Sequence, residues 1–366
     1  MEETYNPNKL IIDRSAIEFN IDNIRKHLGK NVELMPIVKA NAYGVGINNI
    51  LPILVKKNIK SIGVANVNEG IIARKEFKGQ ILVLLQPLVQ QIPEIIKNKL
   101  TTNACDYNFL YVLNKKSETN NIVSEVHIEI DTGMGRTGIK IEDIDEFLNK
   151  IKNLQNIKVV GISSHLSSSG NNEEYSYFQI ERFKQAISIF KLKKIQLKYI
   201  HIYASGGILK YPIKFSNMAR TGIMIYGYYP GKNKNIKLFP ALKLMTKISY
   251  IHTVKHGEYI GYNCIYKAKE NRRVAVIPIG FADAFMGLES NIGSVMVKNK
   301  KAKIIAICMD TMIIDITNID NAKIDDDVVL WDNDDITLEQ WGEWTNTSNY
   351  EVLSILSNRI ERKMIN

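Results

Sequence analysis

Residues 124–138 read SEVHIEIDTGMGRTG, and the first eight of them decide how the chain folds. Apolar Val126, Ile128 and Ile130 alternate with His127, Glu129 and Asp131. A period of two is the signature of a strand, and it puts all three polar side chains on one face. The apolar set suits packing against helices, so the polar set points into an interior. Carboxylates there need partners, because a buried unpaired charge is costly. Arg136, in the turn that follows, is the obvious one. The alternative is that one of these groups lies in water at a sheared rim.

The same grammar extends in both directions. Between residues 33 and 227 a short β-rich run, a polar turn and a helical stretch recur. The candidate strands are ELMPIVK (33–39), SIGVAN (61–66), ILVLLQ (81–86), LTTNAC (100–105), SEVHIEID (124–131), KVVGISSH (158–165), LKYIHIYAS (197–205) and RTGIMIYG (220–227). Among the helical stretches, residues 171–194 place Tyr175, Phe178, Phe183, Ile187 and Phe190 on a broad apolar stripe. Eight β-then-α units in about 200 residues predict an α/β fold, a (β/α)8 TIM-like barrel, with an open doubly wound sheet as the alternative. After Gly227 a loop-like segment, YYPGKNKNIK, leads into strand-and-turn sequence with few helical patterns. The expected division is a barrel over residues 1–235 and a mainly β domain over 236–366.

Composition narrows the function classes. The 366 residues are 45% hydrophobic and 23% charged, ordinary for a soluble globular protein. No apolar run approaches the roughly 18 residues of a membrane span, so no membrane partner is expected. The opening MEETYNPNKL is acidic and polar, unlike a signal peptide. Cys105, Cys264 and Cys308 are too few and too far apart for a disulfide framework, which points to a reducing cytoplasm. The net charge of +10 raises the question of nucleic acid. The lysines form no continuous stripe and no aromatics interleave with them, so no nucleic-acid partner is expected. A basic protein still favours anionic small ligands.

Active sites of such barrels lie at the C-terminal ends of the strands. Lys39 ends the first apolar run, just before Tyr43-Gly44, where a charge must be satisfied or titrated away. His165 ends strand six, His201 lies in strand seven and Arg220 opens strand eight. A single histidine is more often a satisfied core residue, but two histidines and an arginine on neighbouring strands point to a site. Ser205-Gly206-Gly207 and Thr221-Gly222-Ile223 supply hydroxyls and small residues where barrels often hold a phosphate. A lysine nucleophile, a phosphate cradle and an Arg–His network suggest pyridoxal 5′-phosphate held as a Schiff base. With no HExxH, no CxxC pair and no Walker loop, no metal or nucleotide site is expected.

These residues resemble the bacterial alanine racemases, pyridoxal-phosphate enzymes of fold type III. The likeness runs in order through MPIVKANAYGVG, HIEIDTGMGRTG, ISSHLSSS, HIYASG, MARTGIMIYG, GEYIGYNCIYKA, VAVIPIGFADAF, IAICMDTMIIDIT and SNYEVLSILSNRIER, over nearly the whole chain. The resemblance implies that Lys39 carries the cofactor and is one of two catalytic bases, with Tyr266 from a second subunit as the other. It implies phosphate binding by Tyr43, Ser205, Gly222, Ile223 and Tyr350, and an Arg220 that faces the pyridine nitrogen, oriented with Tyr266 through His165 and His201. It further implies that Arg136 and the Met309 backbone contact the amino-acid substrate, and that the enzyme is a homodimer supplying D-alanine for peptidoglycan.

Three positions depart from the pattern. Glu129 stands where many relatives have a lysine carbamylated by carbon dioxide, Ala204 where an asparagine is common, and FADAF (281–285) replaces a commoner Tyr-Ala-Asp-Gly. The alternatives within the resemblance are a serine or broader-specificity racemase and a decarboxylase of basic amino acids. A non-catalytic pyridoxal-phosphate homeostasis protein would match the first domain only.

Overall fold

The computed structural model describes residues 5–285, 288–332 and 334–366. The chain forms two compact units. One comprises residues 17–42 and 50–239, the other residues 1–16, 43–49 and 240–366.

The first unit holds eight parallel strands: Glu33–Pro36, Ser61–Val64, Gln80–Val83, Thr101–Ala104, Ser124–Asp131, Ile157–Ser163, Tyr199–His201 and Met218–Thr221. Strands two to seven form one continuous parallel path, and strand eight pairs strand one, with Arg220 opposite Met35. Two seams close the ring. Strand one meets strand two at the Ile37–Gly63 bridge and the Val38 N–H to Gly63 carbonyl bond of 2.8 Å. Strand seven meets strand eight through Arg220 N–H to the Tyr203 carbonyl at 3.0 Å. The result is the (β/α)8 barrel that the eight repeats predict.

Capping chemistry starts several of its helices. The side chains of Asn66, Asp106 and Asn172 accept from the backbone N–H of Glu69, Phe109 and Tyr175. The helix Glu173–Leu192 packs its second half as the apolar stripe predicts, with Phe183, Ile187 and Phe190 buried. Its first turns differ, because Tyr175 and Phe178 stay substantially exposed and stack on each other at 5.6 Å. The Tyr175 hydroxyl donates to the Gly133 carbonyl at 2.8 Å, which draws that ring away from the core. Strand eight also ends early. Gly222 breaks it, and Ile223–Tyr226 form a fully buried 3-10 turn closed by Gly227 at φ 89°. A short apolar run reads alike as buried strand or buried helical turn, and packing decides between them.

The second unit is built on a nine-stranded sheet. The strands expected between residues 240 and 331 are present, from Leu242–Lys247 to Asp327–Trp331. The N-terminal strand Lys9–Asp13 also belongs to it, antiparallel to Leu242–Lys247 and parallel to Glu361–Ile365. Among the described residues, no helix is long and apolar enough to cross a membrane.

Candidate active site

Lys39 opens a left-handed turn. The chain leaves strand one and places Ala40, Asn41, Ala42 and Tyr43 at φ 52–58°, followed by Gly44 at φ 74°. Each such non-glycine residue costs about 1–2 kcal/mol, so the surroundings must hold the turn. The Ala42 N–H donates to the Val38 carbonyl at 2.9 Å, and the Tyr226 hydroxyl donates to the Ala42 carbonyl at 2.8 Å. The amine of Lys39 sits at a solvent-accessible mouth. Partial burial nevertheless lowers its pKa, the positive charges of Arg136 and Arg220 lower it further, and Glu69 opposes them.

Arg220 is the hub of the barrel mouth and is 6% exposed. Its guanidinium donates to the carbonyls of Ser164 and Ile202. It also reaches His201 Nδ1 at 3.0 Å and His165 Nδ1 at 3.4 Å. Burial pulls its pKa down to about 10, so it stays charged at neutral pH. Burial first, and Arg220 second, push His165 and His127 down to about 3 and hold His201 well below the usual range. The three imidazoles are therefore neutral. Among the described residues no carboxylate hydrogen-bonds to Arg220; its direct partners are neutral acceptors, and Glu129 acts on it only from a distance.

Strand five confirms its alternation. His127 is fully buried and Glu129 is 5% exposed, whereas Asp131 lies at the rim and accepts from the N–H groups of Gly133 and Gly135, both at 3.0 Å. The expected Glu129–Arg136 pair is present as a long ion pair. Glu129 Oε2 accepts from the Thr137 hydroxyl at 2.9 Å, while Arg136 Nη2 stays 3.9 Å from Oε1 with its side chain 44% exposed. The direct hydrogen bond to Glu129 thus comes from Thr137, and Arg136 adds a longer electrostatic contact. Burial raises the Glu129 pKa against the lowering effects of Thr137 and Arg136.

Ser205 opens the short helix Ser205–Lys210, and its hydroxyl lies 3.0 Å from that of Thr221, one residue before Gly222 and Ile223. In the second unit the rings of Tyr43 and Tyr350 lie 6.1 Å apart, and burial followed by the Tyr350 charge raises the Tyr43 pKa. Tyr266, in the strand Tyr266–Lys267, is half-buried against a cluster that includes Ile260 and Val274. Met309 is 59% exposed.

Residues 12–230 match the N-terminal domain of alanine racemase and residues 241–364 its C-terminal domain. The chain belongs to the alanine racemase family. It is 33% identical to the alanine racemase of Halothermothrix orenii, over 97% of this chain and 96% of that one. It is 32% identical to that of Borreliella burgdorferi over 99% of both. Among solved structures, the alanine racemase of Clostridium difficile superimposes with a TM-score of 0.95 at 28% identity, covering 99% of this chain and 97% of that one. The Bartonella henselae alanine racemase, solved with covalently bound pyridoxal phosphate, shares the fold at a TM-score of 0.90 and 23% identity, over 99% of this chain and 100% of that one.

The donor set fits the cofactor of an alanine racemase. A lysine amine with a lowered pKa, a charged arginine whose direct partners among the described residues are neutral and a pair of adjacent hydroxyls share one barrel mouth. One residue of this mouth escapes a reading of the sequence: Glu69 looks like the third residue of an Asn-x-x-Glu cap for its own helix.

Proposed function

We propose that this protein is a pyridoxal-phosphate-dependent alanine racemase that interconverts L- and D-alanine. The observation that carries the reading is the pairing, in one barrel mouth, of Lys39 with a lowered pKa and a buried Arg220 that forms no salt bridge with a carboxylate among the described residues. The cofactor, when bound, supplies the aldehyde that joins an amine and the conjugated ring that accepts electron density from the substrate Cα.

The residues of the chain divide the remaining work. Lys39 Nζ, its pKa lowered by burial and by Arg136 and Arg220, takes or returns the α-proton on one face. Tyr266 of the partner subunit does so on the other through its hydroxyl, since racemisation needs a base on each face. Ser205, Tyr43, Tyr350 and the backbone at Gly222 and Ile223 hold the phosphate. Arg220, held in place by His165 and His201, faces the ring nitrogen and keeps it unprotonated, which limits how much negative charge the ring stores. Arg136 and Met309 of the partner subunit close on the substrate carboxylate. Glu129 takes over the anion that carbon dioxide supplies in many relatives. The assembly is a homodimer, and three free cysteines suit a reducing cytoplasm.

The test is D-alanine formation from L-alanine by the purified protein, read with a coupled D-amino-acid oxidase. Lys39→Ala should abolish it. Comparing kcat/KM for L-Ala, L-Ser, L-Lys and L-Arg separates alanine from a serine or broader specificity, because one small extra group changes binding by only about 1–3 kcal/mol. A yellow protein that racemises none of the four overturns the proposal.

A further inference from the structure

The seam between barrel strands one and two is thin. Apart from the Ile37–Gly63 bridge and the neighbouring Val38–Gly63 bond, these strands share no regular ladder. The left-handed turn that carries Lys39 begins at that seam. Ser61 donates to Glu33 at its far end, and at the end that carries Lys39 the side chain of Glu69 spans it. Glu69 Oε1 accepts from the Ala40 N–H at 2.7 Å, and Oε2 accepts from the Ala65 N–H at 2.7 Å. Ala40 is the first strained residue after Lys39, and Ala65 directly follows strand two. Both distances are those of charge-assisted bonds, the stronger kind. Glu69 is itself fixed, since its own N–H donates to Asn66 Oδ1 at 3.0 Å in the first turn of the helix Val67–Arg74.

We propose that Glu69 is a positioning residue for Lys39, whose carboxylate ties the left-handed turn to the end of strand two and so aims the lysine into the barrel mouth. This rests on the reading of Lys39 as the reactive lysine. Glu69 acts on Lys39 in two ways, by fixing the backbone next to it and by standing as an anion near its amine. The other charged or titratable groups that act on that amine are Arg136 and Arg220, with His165 alongside. Arg136 and Arg220 lower the lysine pKa and Glu69 raises it. Replacing Glu69 by a neutral group of the same shape should therefore make the amine more reactive while aiming it less well. A purely structural role would not produce that opposite pair of effects.

The experiment uses the full-length protein stripped of cofactor. Competitive labelling with acetic anhydride across pH, read on the Lys39 peptide by mass spectrometry, gives the midpoint of amine reactivity. In Glu69→Gln the midpoint should fall by about half a pH unit, while kcat of the reconstituted enzyme falls about tenfold with KM changed less than about twofold. Glu69→Asp, which keeps the charge on a shorter arm, should leave the midpoint near that of the parent and lose part of the kcat. Should Glu69→Gln fail to fold by circular dichroism, Glu69→Asp still tests the positioning, because its shorter arm cannot span the Ala40 and Ala65 N–H groups together, and an unchanged kcat in that variant overturns the proposal. An unchanged Lys39 midpoint and unchanged kcat in a folded Glu69→Gln protein overturn the proposal. A parent protein without racemase activity overturns the functional reading instead, and the labelling shift is measurable either way.

Discussion

His127 Nδ1 lies 2.8 Å from His201 Nε2, and Arg220 decides which of the two donates. Arg220 can only donate, so His201 Nδ1, 3.0 Å away, must accept. A neutral His201 then carries its proton on Nε2 and donates to His127 Nδ1. His127 is left with its proton on Nε2, which finds no partner among the described residues. One permanent cation thus fixes a run of neutral tautomers and locks its own guanidinium in place.

Nitrogen-15 NMR should accordingly find His201 and His127 as neutral Nε2–H tautomers at pH 7. His127→Leu leaves the His201 Nε2–H buried without an acceptor, a loss of about 1–3 kcal/mol. Urea unfolding should show that loss, and cofactor affinity should weaken as Arg220 gains freedom.

Gly161 faces the same ring. A Cβ there would come within 2.7 Å of His127 Cγ and Nδ1, and the Tyr199 ring, stacked 5.3 Å from the imidazole, restricts its retreat. Gly161→Ala should cost about 1–3 kcal/mol by overpacking, seen as a lower Tm.

Acid should destabilise the barrel through these histidines. Their folded pKa values lie below the unfolded value near 6.5, with His127 and His165 at about 3. The stability they contribute is complete above about pH 6.5 and is lost as pH falls towards 3, at about 1.4 kcal/mol per pH unit for each proton taken up. Denaturant midpoints between pH 7 and pH 4 should show a slope that is shallower in His127→Leu.

Glu129→Gln tests the replacement of the carbamate. It keeps the shape, removes the anion 3.9 Å from Arg136 and should raise KM for alanine several-fold. Because burial raises the Glu129 pKa, the charge costs stability at neutral pH, and the variant should melt no lower than the parent. An unchanged KM, with activity independent of added bicarbonate in both proteins, would show that Glu129 does not act on Arg136.

Much of this site is legible along the chain. Alternation in SEVHIEID put His127 and Glu129 inside the barrel, and strand ends located Lys39 and His165 at the mouth; His201 and Arg220 join them because strand seven ends at His201 and strand eight runs Met218–Thr221 rather than opening at Arg220. The Arg136 pairing was legible but its length was not, because how closely a turn arginine approaches a strand glutamate depends on side-chain length and turn geometry. Glu69 was hidden by a local motif, for Asn-x-x-Glu reads as a helix cap while its carboxylate serves Ala40 and Ala65.

The sequence by itself determined the periodic elements: eight parallel strands with their apolar outer faces, the polar inward set of strand five and the shift to β structure after residue 236. Those follow from short-range sterics and hydrophobic period, which residues a few positions apart encode. The tertiary structure alone decided the left-handed turn after Lys39, the 3-10 turn at Ile223–Tyr226, the place of Lys9–Asp13 between two strands more than 200 residues away and the direction of the Arg220–His201–His127 hydrogen bonds. Each depends on partners distant in the chain, and a strained turn or a buried cation persists only where such partners offset its cost.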